Sequence, residues 1–368
     1  MIFTILFYTF VVVTAIQVLY YLFFLTFAYG QNKIKINTDV NIPVSVIVYV
    51  KNNADVLIDS IQNLTKQKYS SFEIVLVNNA SSDNSLDIIE TLQKKHSNIK
   101  VVNVENTEAF WGNKKYALTL GVKAATHEHL LFTEINSKAL SKNWIHEIAS
   151  NFSQENTIVI GYQKLKRKKN SFSNLLIRFN HLLRTIQSLS FVKFRNPYNA
   201  TNHNFAYTKS VFFKVNGYIN HLNTFIGEAD LFLKDAATTN NTTYSIKLDS
   251  FVVSNKHLSF KEWFYSQKQT SILFSLYKLK PRFFLRLFTL TKLLFYLLAI
   301  YTTILNWKLS LPFIISYFLI QYVVLGKSAS KLHEKNIILL LPFLDICLVL
   351  LQISIFISNQ ISKPTHWK

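Results

Sequence analysis

The phrase Leu130-Leu131-Phe132-Thr133-Glu134-Ile135-Asn136 runs from an apolar stretch into one acid and one amide. If the apolar part is a strand of an open α/β sheet, its polar end lies where ligands collect, outside the carboxyl ends of the strands. A hard divalent cation such as Mg²⁺ or Mn²⁺ takes oxygen ligands and draws on carboxylate charge. Glu134 can supply that charge and Asn136 a neutral oxygen, which makes the two a candidate metal site. The same phrase also fits a polar strand end that binds nothing.

Four further segments carry usable side chains. Lys51-Asn52-Asn53 and Asn78-Asn79-Ala80-Ser81-Ser82-Asp83 follow two apolar runs. Amide side chains there can donate to and accept from a base edge, and the N–H groups of a following helix start can hold an anion. Lys51, Asn53, Asn79 and Asp83 are thus candidates for nucleotide binding, although Asn, Ser and Asp also favour turns for local reasons. In Gly112-Asn113-Lys114, Lys114 stands at a helix start, where a phosphate would be welcome. In Gly227-Glu228-Ala229-Asp230, Glu228 or Asp230 could take a proton from a hydroxyl, with helix register deciding between them. Acids at that place would equally favour the helix dipole.

The elements needed to position these residues can be read from hydrophobic periodicity. Short β-branched runs predict strands over 44–50, 73–77, 99–104 and 129–133. Amphipathic spacing predicts helices over 54–66, 84–95 and 114–125, the second with Asp83 or Ser82 near its cap. Strands alternating with such helices imply parallel, right-handed β-α units, hence a sheet with helices on both faces. Beyond residue 140 the pattern is less regular. Helices are expected over 171–190, with apolar residues on more than one face, and over 227–238. Residues 259–277 read as a surface helix or an amphipathic helix lying on a membrane.

Apolar residues make up 49% of the chain, unevenly spread. Residues 1–32 carry no charge, and 2–28 are long enough to span a bilayer core of ~20 helical residues. The neutral start and long run favour an anchor over a cleaved signal. Three more uncharged runs, 293–307, 309–326 and 346–361, lie near the other end. Asp345 borders the last; an ionisable group in a span is a functional candidate, or it pairs with Lys292. The net charge of +20 is dispersed apart from residues 164–169, which suits a domain beside anionic lipid and argues against a nucleic-acid partner. The single cysteine, Cys347, excludes an intrachain disulfide and a cysteine zinc site. Lys33 and Lys35 after the first span, and the basic loop 327–335, place the middle block on the cytoplasmic side. The same count puts Lys363 and Lys368 outside.

Taken in order, residues 42–280 resemble a family-two, inverting glycosyltransferase of the GT-A fold, in its bacterial membrane-bound branch. The resemblance is carried by Pro43-Val-Ser-Val-Ile-Val48, by 72–83 and by 112–118 with Leu120-Gly121 and Ala124-Ala125. Phe205-Ala-Tyr-Thr-Lys-Ser210, Gly217-Tyr218, Glu228-Ala-Asp-Leu-Phe232 and Lys261-Glu-Trp-Phe264 continue it. It implies an α/β, Rossmann-like nucleotide-diphospho-sugar transferase domain over 42–258. An N-terminal transmembrane helix over 1–30 would precede it. An interfacial segment over 259–280 and about three transmembrane helices over 281–361 would follow. It further implies a nucleotide-sugar donor, a lipid-linked or glycan acceptor, a divalent cation, and a multi-pass protein of the inner (plasma) membrane. Gln267 would belong to a segment closing over the donor. Against that pattern, Asp-x-Asp reads Glu134-Ile-Asn136, a later acid reads Ala229, the closing segment reads Gln267-Lys-Gln-Thr270 without its Arg, and 199–204 lacks the usual Gly and Arg. An inactive scaffold or regulatory relative in the same membrane is the alternative these departures imply.

Overall fold

A computed structural model describes residues 2–30, 41–106 and 112–362. Lys33, Lys35, Lys363 and Lys368, on which the expected orientation leans, lie outside the described residues. The chain divides into two compact units: Lys33–Arg167 with Arg195–His257, and Met1–Asn32 with Lys168–Phe194 and Leu258–Lys368.

The first is an α/β unit. Its elements are β1 (Val44–Val50), α2 (Ala54–Thr65), β2 (Phe72–Asn79), α3 (Ser85–Lys95), β3 (Ile99–Val104), α4 (Lys114–Ala124) and β4 (His129–Glu134). They continue with β5 (Ser137–Ala139), α5 (Trp144–Ala149), β6 (Ile158–Gly161), β7 (Gln163–Lys164), β8 (Phe205–Thr208), α7 (Lys209–Lys214), α8 (Glu228–Ala236), β9 (Thr242–Ser245) and β10 (Val252–Ser254). Seven strands form one sheet in the order β3-β2-β1-β4-β8-β6-β9. All pairings are parallel except those of β8, which runs antiparallel to both β4 and β6. The expected β-α alternation thus holds through β4 and gives way afterwards. A small sheet, β5-β10-β7, stands apart.

The sheet forms where the sequence places unbroken β-branched runs. In β1 every residue but Tyr49 is buried, as a strand covered on both faces requires. Leu57, Ile61 and Leu64 of α2 recur at helical spacing and are buried with Val44, Val46, Leu76 and Leu131 in one core. On α4, Gly121 is required by close approach: a Cβ there would lie 2.6 Å from Val77 Cγ2. That contact seats α4 against β2 and fixes where its first residue, Lys114, begins.

The second unit is helical: α1 (Ile2–Tyr29), α6 (Phe172–Lys193), α9 (Phe260–Leu276), α10 (Leu279–Lys331) and α11 (Leu341–Ile361). The interval 42–258 is therefore interrupted, because α6 clusters with the apolar helices. Leu176, Ile177, Phe179, Leu182, Leu183 and Ile186 are all buried, so this helix needs cover on more than one side. The expected interfacial segment is α9, which buries Trp263 and Leu273 and whose Lys268 Nζ donates to Ser362 O at the end of α11. The 53 residues of α10 break at Asn306, where φ and ψ leave the helical region. Phe295 and Tyr317 then stack at 3.9 Å between ring centroids. In a straight helix, 22 residues would separate them by ~33 Å, so α10 is an antiparallel hairpin.

Among the described residues, three helical stretches, Ile2–Tyr29, Leu279–Lys331 and Lys335–Ile361, are long and apolar enough to cross a membrane. No more than 33% of the most apolar window of each is buried within the structure, which leaves lipid-sized apolar surface open. Between them lies a sealed polar cluster. Lys292 Nζ meets Asp345 Oδ1 at 2.5 Å, and the hydroxyls of Tyr296 and Tyr317 donate to Asp345 Oδ2 at 2.7 and 3.3 Å.

Candidate active site

Strand register supplies the first contact of the site. Tyr49, near the end of β1, is paired with Glu134, the last residue of β4. Lys114 opens α4, and its Nζ donates to Glu134 Oε1 at 2.6 Å while lying 5.1 Å from the centre of the Tyr49 ring. Asn79, last residue of β2, donates from Nδ2 to the Tyr49 hydroxyl at 2.9 Å. Its Oδ1 is buried without a hydrogen-bond partner. An acid, an ammonium, a phenol and an amide thus meet at the carboxyl ends of three adjacent strands.

Two loops close in from the other side of the fold. His203 holds Ser137 Oγ at 3.1 Å through Nδ1, and its carbonyl accepts from Thr133 Oγ1 at 3.1 Å. Glu228 is the first residue of α8, following Gly227 at φ 81°, a left-handed value that suits glycine. Its carboxylate lies near enough to Lys114, Lys115 and His203 to bear on the protonation of each. Lys115, 1% exposed, explains how this end is fixed. Its Nζ donates to the carbonyls of Thr224 and Ile226, and Asn113 Nδ2 donates to Leu222 O at 2.8 Å. The start of α4 therefore clamps the strip of backbone that ends at Glu228.

The electrostatics follow from burial and partnership. Burial alone would push the Glu134 carboxyl up, but Lys114 and His203 outweigh it and hold the group below the usual carboxylate range. Burial would push Lys114 down, yet Glu134 and Glu228 raise it above the usual ammonium range. Both shifts favour the charged pair. Burial lowers Lys115 and, despite Glu134, lowers His203, keeping the imidazole neutral near pH ~7.

The remaining sequence candidates have other surroundings. Asn53 and Asp83 serve to join the loops after β1 and β2. Asp83 accepts from the amides of Ala54 and Ser85, both at 3.0 Å, and Asn53 N–H donates to Ser85 Oγ at 3.0 Å. Burial pushes the Asp83 carboxyl up, and these hydrogen bonds together outweigh it and hold the group below its ordinary value. The amide of Lys51 donates to Asn53 Oδ1 at 3.2 Å. Asp230 is buried and accepts from Asn199 Nδ2 at 2.8 Å and Ala200 N at 2.9 Å, so it anchors that loop. Gln267 lies in the helical unit, where its Oε1 accepts from Asn180 Nδ2 at 3.2 Å. Tyr49, Lys115 and His203 were not singled out from sequence. Tyr49 had a signal, being the one polar-tipped aromatic in an aliphatic strand; His203 and Lys115 had none.

The donor set does not suit a divalent cation. Among the described residues no three His, Cys, Asp or Glu side chains come together as a metal would need. Glu134 offers one carboxylate, already bonded to an ammonium, and Asn136 adds no charge. A cation seated on Glu134 would face the displaced Lys114, and a like charge at ~4 Å costs about 4 kcal/mol per unit charge at an effective dielectric of ~20.

Comparisons with known proteins bear on this geometry. Residues 45–215 match the model of glycosyl transferase family 2. The chain is 25% identical over 119 residues to Glycosyltransferase GlyG of Streptococcus pneumoniae, covering 32% of this chain and 38% of that protein. It is 32% identical over 130 residues to a poly(ribitol-phosphate) beta-glucosyltransferase of Bacillus spizizenii, covering 33% of this chain and 19% of that one. The matches thus span well under half the length of these relatives. A mannosyltransferase from Pyrobaculum calidifontis, solved with GDP-Man and Mn²⁺, shares the fold at a TM-score of 0.58 and 16% identity, over 89% of this chain and 98% of that one.

Proposed function

We propose, from the match of residues 45–215 to glycosyl transferase family 2, that the chain is a membrane-bound glycosyltransferase. It would move a sugar from a nucleotide sugar to a glycan or lipid-linked acceptor, with inversion at the anomeric carbon. The observation that carries this reading is the constellation of Lys114, Glu134 and Glu228 at the carboxyl ends of β1 and β4.

In the transfer, the acceptor oxygen bonds to the anomeric carbon as the bond to the diphosphate oxygen breaks. The acceptor proton passes to a carboxylate, and the bonding pair leaves on the diphosphate. Glu228 fits the base better than Asp230, whose Oδ1 is committed to Asn199 and Ala200. The Lys114 ammonium, with three donors of which Glu134 takes one, is placed to meet charge developing on the leaving group. Asn79 Oδ1, an unsatisfied buried acceptor, suits an N–H of the base. Lys51, Asn53 and Asp83 act on the donor side by shaping the two loops beside it.

The relative named for poly(ribitol-phosphate) supports a polymeric acceptor, and the mannosyltransferase solved with GDP-Man supports a nucleotide-sugar donor. The long apolar helices support residence in the plasma membrane, with the α/β unit on the cytoplasmic face. A second reading, a non-catalytic relative, is favoured by Asn136 and Ala229 standing where the family carries acids. The test is nucleotide diphosphate release by the purified full-length chain in lipid nanodiscs, across a panel of UDP-, GDP- and CDP-sugars with candidate acceptors. Release that Glu228→Gln abolishes is the expected result. Release from no donor would leave the non-catalytic reading standing.

A further inference from the structure

Among the described residues, the cluster at the carboxyl ends of β1 and β4 sets two ammonium groups, Lys114 and Lys115, against two carboxylates, Glu134 and Glu228. Lys115 is spent on the carbonyls of Thr224 and Ile226 and is sealed from solvent. Lys114 differs. Its side chain is 28% exposed and its partner Glu134 16% exposed, so the pair can be reached from outside.

Two of the backbone donors that a phosphate would otherwise use at this helix start are taken. Asn113 caps α4, its Oδ1 accepting from the amides of Lys115 at 2.9 Å and Tyr116 at 3.4 Å. The amides opening α2 and α3 are likewise engaged by Asp83. Open to an incoming diphosphate is the side-chain ammonium of Lys114, steadied by Glu134 on one side and by the face of Tyr49 on the other. The only acid at the end of β4 is bound to that ammonium, and Asn136 brings no second charge.

We infer that this chain binds its nucleotide diphosphate without a divalent cation, the Lys114 ammonium occupying the place a metal ion would take on Glu134. The inference rests on the proposed nucleotide-sugar function. It reverses the expectation that Glu134 and Asn136 hold Mg²⁺ or Mn²⁺. Glu134 becomes a positioning residue for Lys114, and no metal-borne step enters the transfer.

Isothermal titration of UDP and GDP into the purified full-length chain in nanodiscs tests it, once in EDTA and once in excess Mn²⁺. The expected result is an affinity for one nucleotide that agrees within about threefold between the two buffers, with Lys114→Met weakening it by about tenfold or more in both, as loss of a charge-assisted hydrogen bond implies. Lys114→Arg should recover part of the loss. Glu134→Gln should still bind in EDTA, because the ammonium remains. Binding only in Mn²⁺, or loss of binding in Glu134→Gln with the fold retained by circular dichroism, overturns the inference and leaves the proposed function intact. Binding of neither nucleotide in either buffer overturns both.

Discussion

The chain contains two lysine–carboxylate pairs of nearly equal length in unlike surroundings. Lys114 and Glu134 meet at 2.6 Å in the α/β unit, with side chains 28% and 16% exposed. Lys292 and Asp345 meet at 2.5 Å among the apolar helices, with side chains 3% and 0% exposed. The inner pair is enclosed: with Lys292, the hydroxyls of Tyr296 and Tyr317 also donate to Asp345, whose side chain has no exposure to solvent. The outer pair keeps donors in hand and lies within reach of solvent. The same chemistry therefore serves two ends. A sealed pair fixes which helices pack together; an open pair can change partners when a diphosphate arrives. Intramembrane charge is a functional candidate by default, but here the enclosure of Asp345 by Lys292, Tyr296 and Tyr317 favours a structural pin over a transport path.

The largest expected effect tests the sealed pair. Asp345→Ala or Lys292→Met leaves one buried charge without its partner and should lower stability by about 3–5 kcal/mol, read from unfolding in detergent. The double variant Lys292→Met/Asp345→Leu should regain most of that loss. Lys114→Met should cost only about 1 kcal/mol by the same measurement, because its pair is partly hydrated. Equal losses at both places would erase the distinction between them. Next in size is Glu228→Gln, expected to slow transfer by about 10²–10⁴-fold with unfolding unchanged. Asp230→Ala should do the opposite. It strands the donors of Asn199 and Ala200, costing about 1.5–3 kcal/mol of stability, and it should slow transfer only as far as the loop loosens.

How far the sequence carried depended on whether a feature is local. Strands β1 to β4 and helices α2 to α4 were legible to within two residues at each end, because each has its own hydrophobic period. The placing of Lys114 beside Glu134 was partly legible, since both lie at element ends facing the same crevice. Their direct bond was not, because it depends on the strand register that sets Tyr49 against Glu134 and on Gly121 seating α4. His203 and Lys115 escaped notice for a related reason: each is brought in by contacts between segments some 66 or more residues apart. The choice between Glu228 and Asp230 needed helix register, which a two-residue spacing leaves open. The assignment of α6 to the helical unit was hinted at by its several apolar faces, but its partners are distant in sequence.

A carboxylate held chiefly by neutral donors sharpens the comparison from the other direction. Glu73 stands in β2 at the end of the sheet opposite the site. Its Oε1 accepts from Ser45 Oγ at 2.6 Å and Thr126 N at 2.5 Å, and its Oε2 from Thr126 Oγ1 at 3.0 Å. Burial raises its pKa, but these donors, joined by a smaller pull from His127, outweigh burial and hold it below the ordinary glutamate value. A folded-state value below the unfolded one means that the stabilisation is fully present above pH ~4.3 and is lost as pH falls through the folded value. Wild-type stability should therefore decline on acidification from about pH 5 downward. Glu73→Gln should flatten that decline by a small amount, under about 1 kcal/mol across the window, because the group is open to water. Glu134→Gln should flatten it more, since its carboxylate is held charged by a full ammonium that fixed neutral dipoles do not match. If the two variants flatten the acid limb equally, then Lys114 contributes nothing to Glu134 that a hydroxyl and an amide could not, and the open pair loses its claim to be electrostatically distinct.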